Sequence, residues 1–161
     1  MKVTETLPRS CDECTVCCRG WLNADIHGHK IGGGVTCQWL TPHGCGIYET
    51  RAPVCRDFKC AWLMPGSPFP DHWRPDKIGV IICADRWQDK RCWLLLHAGQ
   101  DPSEEVLEWM RQYTIATGEP HAIKKKDSWL CFGKPEFQQV MVRLAREAVG
   151  EVELKTTFLP S

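Results

Sequence analysis

Cysteines are the residues of this 161-residue chain that could do chemistry, and eight of the eleven fall between positions 11 and 60. The spacing starts as C-x2-C-x2-C-C and continues with four single cysteines, giving Cys11, Cys14, Cys17, Cys18, Cys37, Cys45, Cys55 and Cys60. A tight loop or one helical turn can bring three thiolates of such a run to one point, as zinc sites and iron–sulfur clusters require. Adjacent side chains diverge, so Cys17 and Cys18 are expected to serve different metals or different corners of one cluster. The spacing therefore predicts more than one metal atom.

Two other interpretations of these cysteines compete with metal binding. A disulfide frame would need an oxidising compartment, and residues 1–6 contain no apolar run that resembles a signal peptide. Buried cysteine can also act as a small hydrophobic residue, but that role does not explain clustering at ligand spacing. Metal binding is the interpretation that the pattern favours.

The identity of the metal is predicted from the number and the context of the cysteines. Eight thiolates divide evenly into two tetrahedral Zn²⁺ sites, which need no sulfide and tolerate air. The first three cysteines also resemble the three-ligand run of bacterial ferredoxins, but the Pro that commonly follows the fourth ligand is missing after Cys18. The sequence therefore predicts Zn²⁺, two per chain, with iron or a 4Fe-4S cluster as the alternative.

The cysteine pattern resembles a known family. The opening run, followed by Cys37-Gln38-Trp39-Leu40, by Cys45-Gly46-Ile47-Tyr48-Glu49 and by Arg51 to Cys60, is similar to the CxxCxxCC family of zinc- or iron-chelating proteins. The resemblance covers residues 11 to about 62 and departs from the family pattern where Ala52 stands between Arg51 and Pro53. It implies a metal centre held by the eight cysteines. A larger relative with the same motif, the flagellin lysine methylase, is associated with an iron–sulfur cluster.

Cations and histidines near the cysteines have two possible roles. Thiolates around divalent metals leave a net negative charge that is costly to bury without positive partners. Candidate donors to the thiolates are Arg19, Arg51, Arg56 and Lys59, and ordinary surface ion pairs are the other interpretation of these residues. His27 and His29 could replace a thiolate, but eight cysteines already fill two four-coordinate sites, so exposed loop positions are favoured.

Composition limits the partners and the compartment. The chain has 20 basic and 20 acidic residues and a formal net charge of zero, so nucleic acid is not an expected partner. No apolar run approaches the roughly 20 residues of a membrane span, and no membrane association is expected. A cytoplasmic protein that binds another protein or a small molecule is predicted.

The length predicts one compact domain, residues 1–161. We divide it into a Cys-rich metal-binding region at 9–62, a Pro-rich loop at 63–77 and an α+β layer at 78–150. Apolar rings of the Pro-rich loop, Phe69 and Trp73, are expected to pack over a core rather than bind a ligand.

The α+β layer is predicted from periodicity and from turn signals. Two runs, 77–84 and 91–97, predict a β-hairpin; its cysteines, Cys83 and Cys92, are expected to pack rather than react. Amphipathic stretches predict two helices, at 101–118 and 135–149, with short strands at 121–126 and 128–132 and a weakly ordered tail at 155–161. The predicted fold class is α+β, with the Cys-rich, loop-dominated metal-binding region packed on a small antiparallel sheet with two helices.

The predicted function is that of a metal-binding protein, in which cysteine-ligated zinc or iron organises the fold and a surface for a partner or ligand. One alternative is an iron–sulfur protein in redox or metal handling. A second is a small transferase-like enzyme that acts beside the metal site, with the Pro-rich loop as a lid and His72 or Arg74 in the pocket. The sequence assigns no catalytic residue and leaves open whether the protein is an enzyme.

Overall fold

The chain divides into two compact units, Met1–Arg74 and Pro75–Ser161. A computed structural model describes residues 9–10, 14–58, 60–126, 128–149 and 154–158, and beyond residue 144 it describes the backbone alone. The prediction of one domain concerns the relation between the two units and stays a prediction. The helices of the described residues are all too short or too polar to cross a membrane.

The first unit consists of short elements joined by turns. Its elements are a 3₁₀ turn at Cys17–Arg19, β1 (Ala24–Ile26), β2 (His29–Ile31), β3 (Leu40–Thr41), β4 (Gly44–Cys45), a second 3₁₀ turn at Tyr48–Thr50 and α1 (Pro53–Asp57). Strand β1 pairs with β2 and β3 with β4, both antiparallel. Frequent glycines and prolines interrupt longer periodic segments, so the unit is loop-dominated, as predicted.

The Pro-rich loop forms a small core in the first unit. Phe69 and Trp73 are each 1% exposed and stack with ring centroids 5.9 Å apart. The guanidinium of Arg9 donates to the carbonyls of Trp62 and Phe69 and forms an ion pair with Asp71. Phe69 and Trp73 therefore pack over a core, which supports the interpretation made from the sequence.

A mixed sheet of five strands is the centre of the second unit. Its strands are β5 (Val80–Trp87), β6 (Lys90–His97), β7 (His121–Lys124), β8 (Trp129–Gly133) and β9 (Leu154–Phe158), in that spatial order. Strands β5 and β6 form the predicted hairpin, and β7 pairs antiparallel with β8. The β6–β7 and β8–β9 pairs are parallel. The α+β class is confirmed, and the sheet is mixed where a small antiparallel one was expected.

Helices of the second unit follow the predicted stretches. They are α2 (Pro75–Ile78), α3 (Glu104–Thr117) and α4 (Pro135–Val149). Ser103 caps α3, because its side chain accepts a hydrogen bond from the Val106 amide, and Gly118 ends the helix at φ 75°. Pro102 therefore lies before the cap residue.

Apolar side chains of the sheet and of α4 form the core of the second unit. Cys92 and Cys131 lie in this core with Phe137 and Met141. Burial raises the pKa of each thiol to about 11; at Cys92 the charge of Asp85 adds to the effect. Such thiols stay protonated near neutrality and are poor nucleophiles, so packing is the role of Cys92, as predicted.

The C-terminal tail was predicted to be weakly ordered, and this prediction is wrong for residues 155–158. These residues belong to β9, which pairs in parallel with β8 from Trp129↔Leu154 to Gly133↔Phe158. Residues 159–161 lie outside the described residues. A parallel neighbour is reached only through a long crossover, so no local turn signal announces such a strand.

Candidate metal centre

The opening cysteine run leads into the first 3₁₀ turn. Cys14 lies before the turn and Cys17 and Cys18 begin it, all half-buried. The buried Val16 anchors the turn, and the Arg19 amide donates to the Val16 carbonyl. Cys11 lies outside the described residues. Three of the four cysteines of the run are therefore carried by one short, anchored segment.

A backbone contact connects this turn with the next cysteine. The Cys37 amide donates to the Cys18 carbonyl at 2.7 Å, and the Gly34 amide donates to the Gly20 carbonyl at 3.1 Å. Gly20 has φ +86°, and a Cβ atom there would lie 2.3 Å from the carbonyl oxygen of Val35. Only glycine fits this close approach of two chain segments.

The β3–β4 hairpin connects Cys37 with Cys45. The Leu40 amide donates to the Cys37 carbonyl at 3.1 Å, and Leu40 is the register partner of Cys45. The hairpin at Pro42-His43-Gly44 therefore directs the chain back, and Cys37 and Cys45 both adjoin Leu40.

Helix α1 carries the next cysteine, Cys55. Pro53 is the first residue of this helix, so the Ala52-Pro53 sequence supplies a helix start, for which proline is suited. Burial raises the pKa of the Cys55 thiol, the charges of Cys37 and Cys45 raise it further, and Arg51 lowers it. Cys37, Cys45 and Arg51 thus lie within electrostatic range of Cys55.

The remaining predicted residues have other surroundings. Cys60 is half-buried and follows Lys59, which lies outside the described residues. The Arg19 Nε donates to Thr15 Oγ1, and the Arg51 Nε donates to the Tyr48 carbonyl while its guanidinium lies 3.8 Å from the centre of the Tyr48 ring. Arg51 is therefore held near Cys55 by Tyr48.

The two histidines of the β1–β2 hairpin are exposed. His27 and His29 both meet the Trp39 ring edge-on, at centroid distances of 5.6 and 5.3 Å, and His27 Nε2 lies 3.0 Å from the Thr50 carbonyl oxygen. Both histidines have the exposure expected from the sequence, but His29 belongs to strand β2 and only His27 lies in the turn. From the sequence, Trp39 had no role beyond its place in the motif Cys37-Gln38-Trp39-Leu40 and Gly20 had none; each lies two residues after a cysteine.

The chemistry of the cysteines favours a metal, whereas their arrangement in the structure does not define a binding site. Over the residues that the structure describes, no three Cys, His, Asp or Glu side chains are arranged so that they could hold one ion. The ligand set, which includes Cys11, therefore stays a prediction. Cysteine thiolates are nevertheless ligands that Zn²⁺ or iron selects, and a bound cation would relieve the repulsion between the thiolates of Cys37, Cys45 and Cys55.

Comparison with protein-family models, with curated proteins and with solved structures gave no match. The resemblance to the CxxCxxCC family is carried by the cysteine motif and stays a prediction.

Proposed function

We propose that the chain is a metal-binding protein in which the eight cysteines of residues 11–60 hold Zn²⁺, about two ions per chain. The observation that carries the proposal is the grouping of cysteines from separate elements. Cys37 and Cys45 lie within electrostatic range of Cys55, and the Cys37 amide is hydrogen-bonded to the Cys18 carbonyl. Residues far apart in sequence are thus brought to one region of the first unit.

The charge of the proposed centre gives Arg51 a role. Two Zn²⁺ ions with eight thiolates would leave a formal charge of about −4, which is costly to desolvate. Arg51 lowers the pKa of Cys55, so it favours the thiolate that a metal needs, against the raising effects of burial, Cys37 and Cys45. In this proposal Arg51 offsets part of the excess negative charge.

The metal in this proposal organises a surface for a partner. Val35, Tyr48 and Val54 are large apolar side chains that are 57%, 55% and 45% exposed. Each lies within three residues of a proposed ligand in the sequence. Exposed apolar side chains beside a metal-ordered segment suit a protein partner or an apolar ligand. Reduced cysteines also fit the cytoplasm, which we propose as the compartment.

The first test is the metal content of purified protein made without oxygen. We expect a colourless protein with about two zinc ions per chain. Cys55→Ser should lose about one ion, because it removes one donor of a four-coordinate site. Cys83→Ser is the matched control, since Cys83 is a half-buried cysteine of β5, and it should keep the full metal content.

Other outcomes of this test would contradict the proposal or support a different function. Equal loss in the Cys55 and Cys83 variants would extend the site into the β5–β6 hairpin and contradict the assignment. A brown protein with iron and acid-labile sulfide would overturn the zinc proposal and favour an iron–sulfur protein in redox or metal handling.

A further inference from the structure

The second unit contains a pocket between α3 and the sheet, with a volume of about 170 Å³. Its wall is formed by Glu104, Glu108 and Arg111 of the helix and by His121, Leu130 and Phe132 of β7 and β8. A cavity of about 150 Å³ can hold one benzene ring. The pocket therefore has room for one small ring or a short aliphatic chain.

His121 is 2% exposed, and its hydrogen bonds determine its tautomer. Thr114 Oγ1 lies 2.7 Å from the Glu119 carbonyl oxygen and 2.7 Å from His121 Nδ1. A carbonyl can only accept, so the single hydroxyl proton of Thr114 is donated to Glu119. His121 Nδ1 must then carry the proton that it donates to Thr114. The other ring nitrogen, Nε2, has a lone pair.

This lone pair is available at the wall of the pocket. None of the described residues forms a hydrogen bond with His121 Nε2. Nε2 is also not among the unpaired polar atoms that are fully enclosed by protein, so a small ligand can reach it. Burial lowers the pKa of His121 to about 3. An imidazole with so low a pKa stays neutral near pH 7. His121 Nε2 therefore offers an uncharged hydrogen-bond acceptor.

Charges at the mouth of the pocket favour a cation. Arg111 Nη2 lies 2.9 Å from Glu108 Oε2, so these two side chains neutralise each other. Glu104 is exposed and has no ion pair with any residue that the structure describes, which leaves the wall with one net negative charge. The apolar residues of the lining are Leu107, Leu130 and Phe132, and an aromatic ring can attract a cation through its face.

We propose that this pocket binds a small organic cation, a protonated amine attached to one apolar ring or short chain. The ammonium group donates to His121 Nε2 and is attracted by Glu104, while the apolar part packs on Leu130 and Phe132. The proposal depends on side chains of the second unit only and is independent of the metal centre. An anionic ligand would be repelled by the carboxylate of Glu104.

Benzylamine is the probe, and benzoate and benzyl alcohol are its anionic and neutral counterparts. In NMR titrations of the full chain, benzylamine should shift the His121 and Phe132 ring resonances in a saturable way. We expect it to bind about tenfold more tightly than benzyl alcohol, because it adds a charge-assisted hydrogen bond. Benzoate binding equal to that of benzylamine, or no saturable shift at millimolar benzylamine, would overturn the proposal.

Two charge-removing variants distinguish binding in the pocket from attraction of the probe by the surface charge of α3. Glu104→Gln removes the carboxylate of the pocket and should weaken benzylamine binding several-fold. Glu105→Gln makes the same change in the same exposed first turn of α3, at a residue outside the pocket wall, and should leave the affinity unchanged. Equal weakening in both variants would show that only the surface charge attracts the probe and would contradict the assigned site.

Discussion

At the scale of single residues, Glu119 and His121 connect α3 to the sheet. The Glu119 carboxylate accepts hydrogen bonds from Tyr113 Oη at 2.8 Å, from Trp93 Nε1 at 2.9 Å and from Arg91 Nε at 3.2 Å. Burial raises the pKa of Glu119, but these hydrogen bonds outweigh burial and the pKa lies below its usual range. Burial and the bond to Glu119 raise the pKa of Tyr113 to about 12. The carboxylate is therefore the charged centre of a partly buried polar cluster.

Burial of neutral His121 makes the stability of the protein depend on pH. The unfolded chain binds a proton at His121 with a pKa near 6.5, whereas the folded protein does so only near 3. The unfolded state thus holds more protons between these values. The contribution of neutral His121 to the free energy of unfolding is fully present above about pH 6.5. It falls as the pH is lowered toward 3, with a loss of roughly 2 kcal/mol by about pH 5.

Denaturant unfolding at neutral and acidic pH measures this effect. His121→Gln keeps a donor for Thr114 but cannot titrate, so it should lose about 2 kcal/mol less on acidification than the unchanged protein. His43→Gln, at an exposed histidine, should behave like the unchanged protein. If the His121 variant keeps the full acid sensitivity, another group is responsible.

At the scale of elements, the contact between the Cys17–Arg19 turn and the segment before Cys37 depends on Gly20. Gly20 and Gly28 both have φ +86°, but a Cβ atom at Gly28 would meet nothing within 4 Å. Alanine at either position therefore has a similar backbone cost, about 1–2 kcal/mol. Only at Gly20 does a collision with the Val35 carbonyl add to that cost.

Substitution of the two glycines by alanine tests this contact. Gly20→Ala should separate the two segments, so that the amides of Gly34 and Cys37 exchange faster with solvent hydrogen. Gly28→Ala should lower the free energy of unfolding modestly and leave those two amides protected. Equal exchange of Cys37 in both variants would mean that backbone strain, not the Val35 contact, determines the effect.

At the scale of the whole molecule, the two units differ in what can stabilise them. Side chains with 0% exposure in the second unit include Val80, Ile81, Ile82, Leu95, Ala122 and Ile123. Strands of the first unit are only two or three residues long. Ordering each residue costs on the order of 1–2 kcal/mol of backbone entropy. The first unit has less burial to offset that cost, so metal ligation is expected to supply the difference.

Removal of metal by a strong chelator at neutral pH tests this expectation on the full chain. Amides of residues 14–58 should lose protection from hydrogen exchange first, while those of β5–β8 should keep it. The reason is that the core of the second unit contains none of the proposed ligands. Protection that persists in residues 14–58 after complete metal removal would contradict metal-dependent folding.

Local signals in the sequence were sufficient to predict several helices and strands. Two runs rich in apolar residues around a polar turn predicted the β5–β6 hairpin, and the serine and glycine at the ends of a periodic stretch predicted α3. The clustering of cysteines at residues 11–60 was visible without any structure. These features depend on neighbouring residues, whose spacing fixes hydrogen bonding and the face of the element that is buried.

Only the tertiary structure decided which distant residues meet. Strand β9 pairs in parallel with β8, Cys37 lies against the Cys18 carbonyl, and His121 is buried beside Thr114 with one nitrogen available at a pocket. None of these contacts has a local signature, because each joins segments separated by a loop or by a helix. The sequence by itself determined the candidate ligands and most elements, whereas long-range packing, which balances burial against chain entropy, decided their neighbours.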